Sequence, residues 1–179
     1  AHRYEYKNEG KLLNMFSDGE IIAAKSLYLV QVKLKDDRKV WMANGKGLQL
    51  LAQRILADVD NATDDRCQPF AQALKAMLPR VEAATTAAGK LMAEQGPRMA
   101  LSNANAYLQL MGHTVAAWMW LRQANAAAAL DAPEDKDFAQ GKLQAAQYFF
   151  HWELPRVELD AQRLIDADDT FINMDNRWF

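Results

Sequence analysis

The sequence predicts an all-α protein, an antiparallel bundle of about four to five long helices. Apolar residues recur at the helical spacing of three and four over the C-terminal two-thirds of the chain, and the segments that carry them are joined by short polar connections. One segment, residues 99–130, is apolar over most of its circumference. That pattern is typical of a helix enclosed by other helices.

The bundle is predicted over residues 40–179, and residues 1–39 are interpreted as a separate N-terminal part. Within that part, Ile21–Leu34 suits a helix, whereas residues 28–35 also alternate between apolar and polar as a strand does. A helix is favoured because the later segments are all helical, so a lone strand would have no partner. The turn-forming sequence Asn44–Gly47 then leads into the bundle.

The first two bundle helices are predicted from their apolar faces and from their ends. Leu48–Val59 places its apolar residues on one face. Asp65 is a suitable N-cap for the second helix, and Pro79 inside that helix predicts a kink or a restart. Gly96–Pro97 is expected to end it.

The central helix, residues 99–130, ends in the alanine-rich run Ala124–Ala129, against which another helix can pack closely. A loop with Pro133 leads to the last long helix, from about Asp135 to Asp166, which Pro155 is expected to kink. The chain ends in Arg177-Trp178-Phe179. Two large aromatic residues at a terminus are expected to dock, on this chain or on another.

Composition excludes several classes of protein. The net charge of -2 provides no broad attraction to nucleic acid or to an anionic membrane. No apolar run approaches the ~20 residues that a membrane-spanning helix needs. Cys67 is the single cysteine, so an internal disulfide is impossible and a reducing, cytoplasmic location is expected.

No catalytic constellation is evident from the residues alone. The histidines His2, His113 and His151 lie outside any Glu-x-x-His or His-x-x-x-His pattern, so no metal site is predicted. We interpret His113 and His151 as hydrogen-bonded core or boundary residues, and Cys67 as an inert structural thiol near a helix start. Tryptophans are expected to fill the core, and the acidic side chains of the last helix and tail to form a solvated face (Glu153, Glu158, Asp160, Asp166, Asp168 and Asp169).

Two stretches resemble a known family. Ser102–Gly112, with the sequence SNANAYLQLMG, is similar to the signature helix of the acetyl-CoA-dehydrogenase-like C-terminal domain, which follows the flavin-binding core in long acyl-CoA dehydrogenases. Lys142–Phe149, followed by Leu154–Pro155, resembles the final helix of the same domain. The resemblance covers roughly residues 40–165.

The resemblance extends in part to the preceding residues. Leu29–Leu34 and Asn44–Gly47 are similar to the segments with which the dehydrogenase core ends. Glu20 lies within one residue of the position of the family's catalytic glutamate, although Ile21–Ile22 stand where the family has Gly-Thr. The resemblance therefore carries Glu20 over as the one candidate catalytic residue, and residues 1–39 as the end of a dehydrogenase core or an N-terminal extension.

The resemblance implies a role in the oxidation of an acyl-CoA thioester. In the family a glutamate removes the α-proton and FAD accepts the β-hydride. The domains that hold most of the flavin and the acyl-CoA have no counterpart in 179 residues, so this segment alone is not expected to hold FAD. The chain is then a fragment or subunit of a homo-oligomeric dehydrogenase, with a structural or oligomerising role, or a free-standing relative of its last domain. The alternative is a stand-alone interaction module without catalysis.

Overall fold

The computed structural model describes residues 45–178, without the side chain of Asn176. Within this range there are helices and turns and no strand, which confirms the all-α bundle. The helix or strand predicted at 28–35, and the domain boundary near residue 40, lie outside the described residues. The helices are α1 (Lys46–Asp60), α2 (Gln68–Gln95), α3 (Pro97–Ala100), α4 (Ala104–Ala128), α5 (Lys136–Tyr148) and α6 (Arg156–Ile165). Short 3-10 turns lie at Pro133–Asp135 and Asn176–Trp178, and a π-turn lies at Phe149–Glu153.

The central position predicted for residues 99–130 is confirmed for α4. This helix packs against α1, α2, α5 and α6. Every residue from Leu110 to Asn125 is buried or half-buried. Complete burial of a leucine such as Leu121 contributes about 1.5–3 kcal/mol. The bundle core therefore forms around α4, and none of the helices described in 45–178 is long and apolar enough to cross a membrane.

Helix α2 differs from the prediction at its start. Its N-cap is Cys67, so the assignment of Asp65 is wrong. Asp64 instead accepts the backbone N–H of Arg66 at 2.9 Å and shapes the turn before the helix. The helix also continues through Pro79 without a restart. Pro79 and Lys75 are both exposed, so water can hydrogen-bond the Lys75 carbonyl that the proline leaves free.

The end of α2 follows the prediction. Gly96 adopts φ 82°, a left-handed value that favours glycine, and Pro97 starts the short α3 directly after it. Asn103, at the start of α4, donates from its side-chain amide to the carbonyl of Asp168 at 2.6 Å. This bond fixes the segment after α6 against the connection between α2 and α4.

The last long helix is interrupted near Pro155, as predicted. Because Pro155 has no N–H, the regular α-helical pattern cannot pass through it, and the backbone widens in the preceding turn. Leu154 donates to the carbonyl of Phe149 at 3.0 Å, five residues back. The interruption divides the predicted helix into α5, the π-turn and α6.

A polar contact joins α1 to α4. The indole Nε1 of Trp118 donates to Oδ2 of Asp58 at 2.6 Å, and Arg122 Nε lies 3.6 Å from the same oxygen. The side-chain amide of Asn125 donates to the backbone carbonyl of Asp58 at 3.3 Å. These bonds pair the indole N–H of Trp118 and the amide N–H of Asn125, and they fix the position of α1 along α4. The other end of the Asn125 amide, the buried Oδ1, has no hydrogen-bond partner among the described residues.

Candidate functional site

The residue that the resemblance implicates in catalysis, Glu20, lies outside the described residues. Within residues 45–178, no group of three or more histidine, cysteine, aspartate or glutamate side chains is arranged to hold a metal ion. Four features could instead take part in function: a cluster at Glu153, the turn before α2, a polar groove and an exposed aromatic face.

The cluster at Glu153 joins α4 to the π-turn. His113 Nδ1 lies 2.8 Å from the carbonyl oxygen of Gln109, which can only accept, so Nδ1 is the donor. His113 Nε2 then lies 3.6 Å from Oε2 of Glu153, and Arg156 Nε lies 3.1 Å from the same oxygen. None of these contacts brings a hydroxyl or thiol nucleophile to the imidazole, so the arrangement positions the π-turn and is not a catalytic set. The boundary position predicted for His113 is confirmed.

The turn before α2 contains the cysteine. Cys67 is fully buried, at 0% exposure. Burial raises the pKa of its thiol, and the nearby Asp64 carboxylate adds to the rise. A buried thiol with a raised pKa is a poor nucleophile. The structure thus agrees with the prediction of an inert structural thiol.

Asp64 and Arg66 form a bidentate pair in the same turn. Arg66 donates from Nε at 2.9 Å and from Nη2 at 2.8 Å to the two carboxylate oxygens. The side-chain and backbone hydrogen bonds from Arg66 lower the pKa of Asp64 to about 2. Nη2 of Arg66 also donates to the carbonyl of Ala128 at 3.0 Å, at the last turn of α4. The pair therefore connects the α1–α2 turn to the end of the central helix.

The polar groove lies between the start of α2 and α5, with a volume of about 420 Å³. Phe70 and Phe150 stack at its floor with ring centroids 5.0 Å apart. Amide and basic side chains line its sides, and the lining contains no carboxylate, hydroxyl or thiol (Arg66, Gln140, Gln144, Gln147 and His151). Such a groove can hydrogen-bond a ligand, and the imidazole of His151 is the one side chain in its lining that could act as a base or a nucleophile. His151 is exposed here, so its prediction as a core or boundary residue is wrong.

The aromatic face, which we define as Tyr148, Trp152 and Leu159, lies on the outside of the α5–α6 segment. Tyr148 is 57% exposed, Trp152 64% and Leu159 56%. The rings of Tyr148 and Trp152 stack with centroids 6.4 Å apart. The prediction that tryptophans fill the core holds for Trp118 and is wrong for Trp152, because the π-turn directs Phe150 inward and leaves Trp152 outside. Exposed stacked aromatic residues are typical of contact surfaces.

The acidic side chains of the last helix are only partly a solvated face. Asp160 is buried and lies 3.1 Å from Arg163 Nη1. Glu158 lies 2.7 Å from Arg80 Nη2 on α2, and Glu153 belongs to the cluster described above. Glu153 thus joins the π-turn to α4, and Glu158 joins α6 to α2 although it is itself exposed, whereas Asp160 pairs within α6. The spacing of acidic residues in the sequence could not show which of them form such pairs.

Trp178, the first of the two terminal aromatic residues, does not dock on the described part of the chain. It is 69% exposed, and Phe179 lies outside the described residues. Docking of this terminus elsewhere, on another chain included, stays a prediction.

Features missed by sequence reasoning are the Glu153 cluster, the polar groove and the exposure of the aromatic face. The four-residue spacing of Tyr148 and Trp152 placed them on one side of a helix, and a bulky residue on a helix can face either the core or a partner. The periodicity therefore could not decide which side of this helix was buried.

The fold and its surfaces define a helical bundle domain with exposed apolar contact surfaces. The sequence of residues 51–175 matches the family described as acetyl-CoA dehydrogenase C-terminal like. The chain belongs to this family. No curated protein and no solved structure matches the chain.

The low pKa of Asp64 predicts how the stability of the bundle depends on acidic pH. Its pKa is near 2 in the folded protein, below the ordinary unfolded value of ~3.9, so its stabilising contribution is complete above pH ~4 and is lost as the pH falls toward 2. Asp64→Asn should remove the stabilisation that the ionised Asp64 carboxylate provides. The variant's free energy of unfolding should therefore fall less than that of the parent between pH 4 and 2. Asp65→Asn, at the exposed neighbouring position, is the matched control and should keep the parent's profile. Equal acid profiles for Asp64→Asn and the parent would contradict the assignment.

Proposed function

We propose that this chain is the C-terminal helical portion of a FAD-dependent acyl-CoA dehydrogenase, in which it has a structural and oligomerising role. The match of residues 51–175 to the acetyl-CoA dehydrogenase C-terminal family is the observation that carries the proposal. In the intact enzyme the reaction is the α,β-dehydrogenation of an acyl-CoA thioester. The enzyme is proposed to be a cytoplasmic homo-oligomer.

The chemistry of the described residues favours a supporting role over a catalytic one. The Glu153 cluster has no nucleophile, the Cys67 thiol is buried with a raised pKa, and the polar groove has no carboxylate. The aromatic face instead offers apolar area for contact with another domain or subunit. We therefore assign the described part of the chain to packing against the catalytic domains and to subunit contacts.

The described residues are a poor fit for FAD. Its pyrophosphate is bound best by cationic donors such as a free guanidinium. Arg66, the arginine of the polar groove, already donates to both oxygens of Asp64 and to the Ala128 carbonyl, so the groove offers its glutamine amides and His151 without a free guanidinium beside them. We place the cofactor in other parts of the intact enzyme, and no step of the reaction is assigned to residues 45–178.

Glu20 remains the proposed base. A carboxylate is suited to removing the proton adjacent to a thioester carbonyl. The proposal places this residue at the end of the dehydrogenase core, before the bundle, and gives the bundle no part in proton transfer.

The proposal predicts a flavin signal that depends on Glu20. It requires the missing catalytic domains to be encoded upstream in the same reading frame or in a neighbouring gene. The chain produced with them should show the visible absorption of bound FAD, and acyl-CoA should bleach it. The Glu20→Gln variant should keep the flavin band but should no longer be bleached by acyl-CoA. Glu9→Gln, a matched change elsewhere in the N-terminal part, should retain the bleaching.

The opposite outcome would support the alternative, a stand-alone interaction module. A stop codon directly before this segment, with no dehydrogenase gene nearby, would contradict the dehydrogenase proposal. The exposed aromatic face and Trp178 are the observations that favour the alternative.

A second prediction concerns the aromatic face. Because Tyr148 and Trp152 are exposed, replacing both by serine removes apolar contact area at little cost to the folded chain. If this face forms the proposed domain or subunit contact, association measured by analytical ultracentrifugation should weaken at least tenfold, as expected for loss of central aromatic contacts. Phe171→Ser, also at an exposed aromatic residue, is the control. If the double variant associates as strongly as the parent, the aromatic face is not part of the interface.

A further inference from the structure

A second groove, the α1–α2 groove, is mainly apolar. Ile55, Val81 and Met111 form its floor, and each is at most 5% exposed. Leu51 on α1 and Leu78 on α2 form its walls, and both are half-buried. The groove has a volume of about 370 Å³. It is thus larger than the ~150 Å³ apolar cavity that accepts a benzene molecule.

Charged side chains mark only the rim of this groove. Gln49, Lys75 and Glu82 line its edge and are exposed. The interior is built from aliphatic side chains, a methionine and Thr114, whose hydroxyl donates to the Leu110 carbonyl of its own helix. An apolar surface rimmed by polar residues is typical of a contact site. Covering it with apolar side chains would remove that surface from water, which is favourable in proportion to its area.

The chain itself enters the bundle beside this groove. Gly45, with φ 72°, precedes α1, and Leu48 in the first turn of α1 already lines the groove. The 15 residues of α1 extend over about 22 Å. Residues 35–44 are ten residues long and can span at most ~33–36 Å. The residues before position 35 can therefore reach any point along the groove.

The segment immediately before that connection has the composition to fill an apolar groove. Ten of the fourteen residues in 21–34 are apolar, and only Lys25 and Lys33 are charged. The large apolar residues of this segment are Ile21, Ile22, Leu27, Tyr28, Leu29, Val30, Val32 and Leu34. No segment of comparable apolar content lies elsewhere in residues 1–44.

We propose that residues 21–34 of the same chain cover the α1–α2 groove, with apolar side chains of the segment lying against Leu51, Ile55 and Leu78. The groove supplies the apolar surface, and residues 35–44 supply a tether that is long enough. The contact is intramolecular and would tie the N-terminal part to the bundle. It goes beyond the dehydrogenase role and does not depend on flavin binding or on Glu20.

Paramagnetic NMR on the full chain tests this contact. The sole native cysteine, Cys67, is fully buried, so a thiol-reactive spin label attaches selectively to an introduced cysteine. With the label at Lys75→Cys, on the groove rim, the amide signals of residues 21–34 should lose most of their intensity. Glu82→Cys, at a second rim position, repeats the measurement in case one label obstructs the groove.

The matched control is Lys90→Cys, an exposed lysine on the same helix, about 22 Å further along α2. Broadening falls steeply with distance, so this label should affect residues 21–34 much less. A Leu27→Asp change should restore the signals under the Lys75 label, whereas Leu12→Asp, outside the segment, should not.

Two outcomes would overturn the proposal. One is full intensity for residues 21–34 with both rim labels. The other is broadening in an equal mixture of spin-labelled chains and isotope-labelled chains, which would identify a second copy as the occupant. Neither outcome bears on the flavin experiment, so failure here is distinguishable from failure of the proposed function.

Discussion

Enclosure of α4 is the constraint on which the rest of the bundle depends. From Leu110 to Asn125 this helix has no exposed residue, so it needs a neighbour on every side. Two of its buried hydroxyls are paired where they enter the core, whereas the buried Oδ1 of Asn125 has no partner among the described residues. Thr114 donates to the carbonyl of Leu110 at 2.8 Å, and the hydroxyl of Tyr107 lies 3.0 Å from that of Thr85 on α2. Burial raises the pKa of Tyr107, so its hydroxyl stays neutral and able to donate.

This constraint bears directly on function. The side chains that most often carry chemistry in helical bundles project from facing helices into the core, and here that space is filled by apolar residues around α4. Apolar area that the core does not use lies on the outside, at the aromatic face and in the α1–α2 groove. The described residues are therefore suited to making contacts, which agrees with membership of a family named for a C-terminal domain.

Local sequence patterns were sufficient to predict features that depend on residues adjacent in the sequence. The enclosure of α4, the end of α2 at Gly96 and the interruption at Pro155 each follow from local patterns. Features that depend on the partner in space were missed or misassigned. Tryptophans are expected in the core, but Trp152 is exposed because the π-turn decides which face is buried. Asp65 is the cap that the sequence suggests, whereas Cys67 is the N-cap of α2 and Asp64 shapes the preceding turn by accepting from Arg66.

Electrostatic features of the site were likewise beyond the sequence. The Glu153 cluster joins His113 on α4 to Glu153 in the π-turn, forty positions apart, and no sequence motif indicates this contact. Arg66 reaches Ala128 across 62 positions, which again only the packed helices bring together. The family resemblance, in contrast, is readable because each of its two stretches is contiguous in the sequence. Ser102–Gly112 and Lys142–Phe149 lie mostly on α4 and α5, which pack against each other.

Native-state hydrogen exchange tests the central claim, that the bundle is organised around an enclosed α4. The amides of Leu110–Asn125 should exchange only through global unfolding, with a free energy equal to that measured with denaturant, while the amides of α1 should exchange through smaller openings. Exchange of the α4 amides at free energies at or below those of α1 would contradict it.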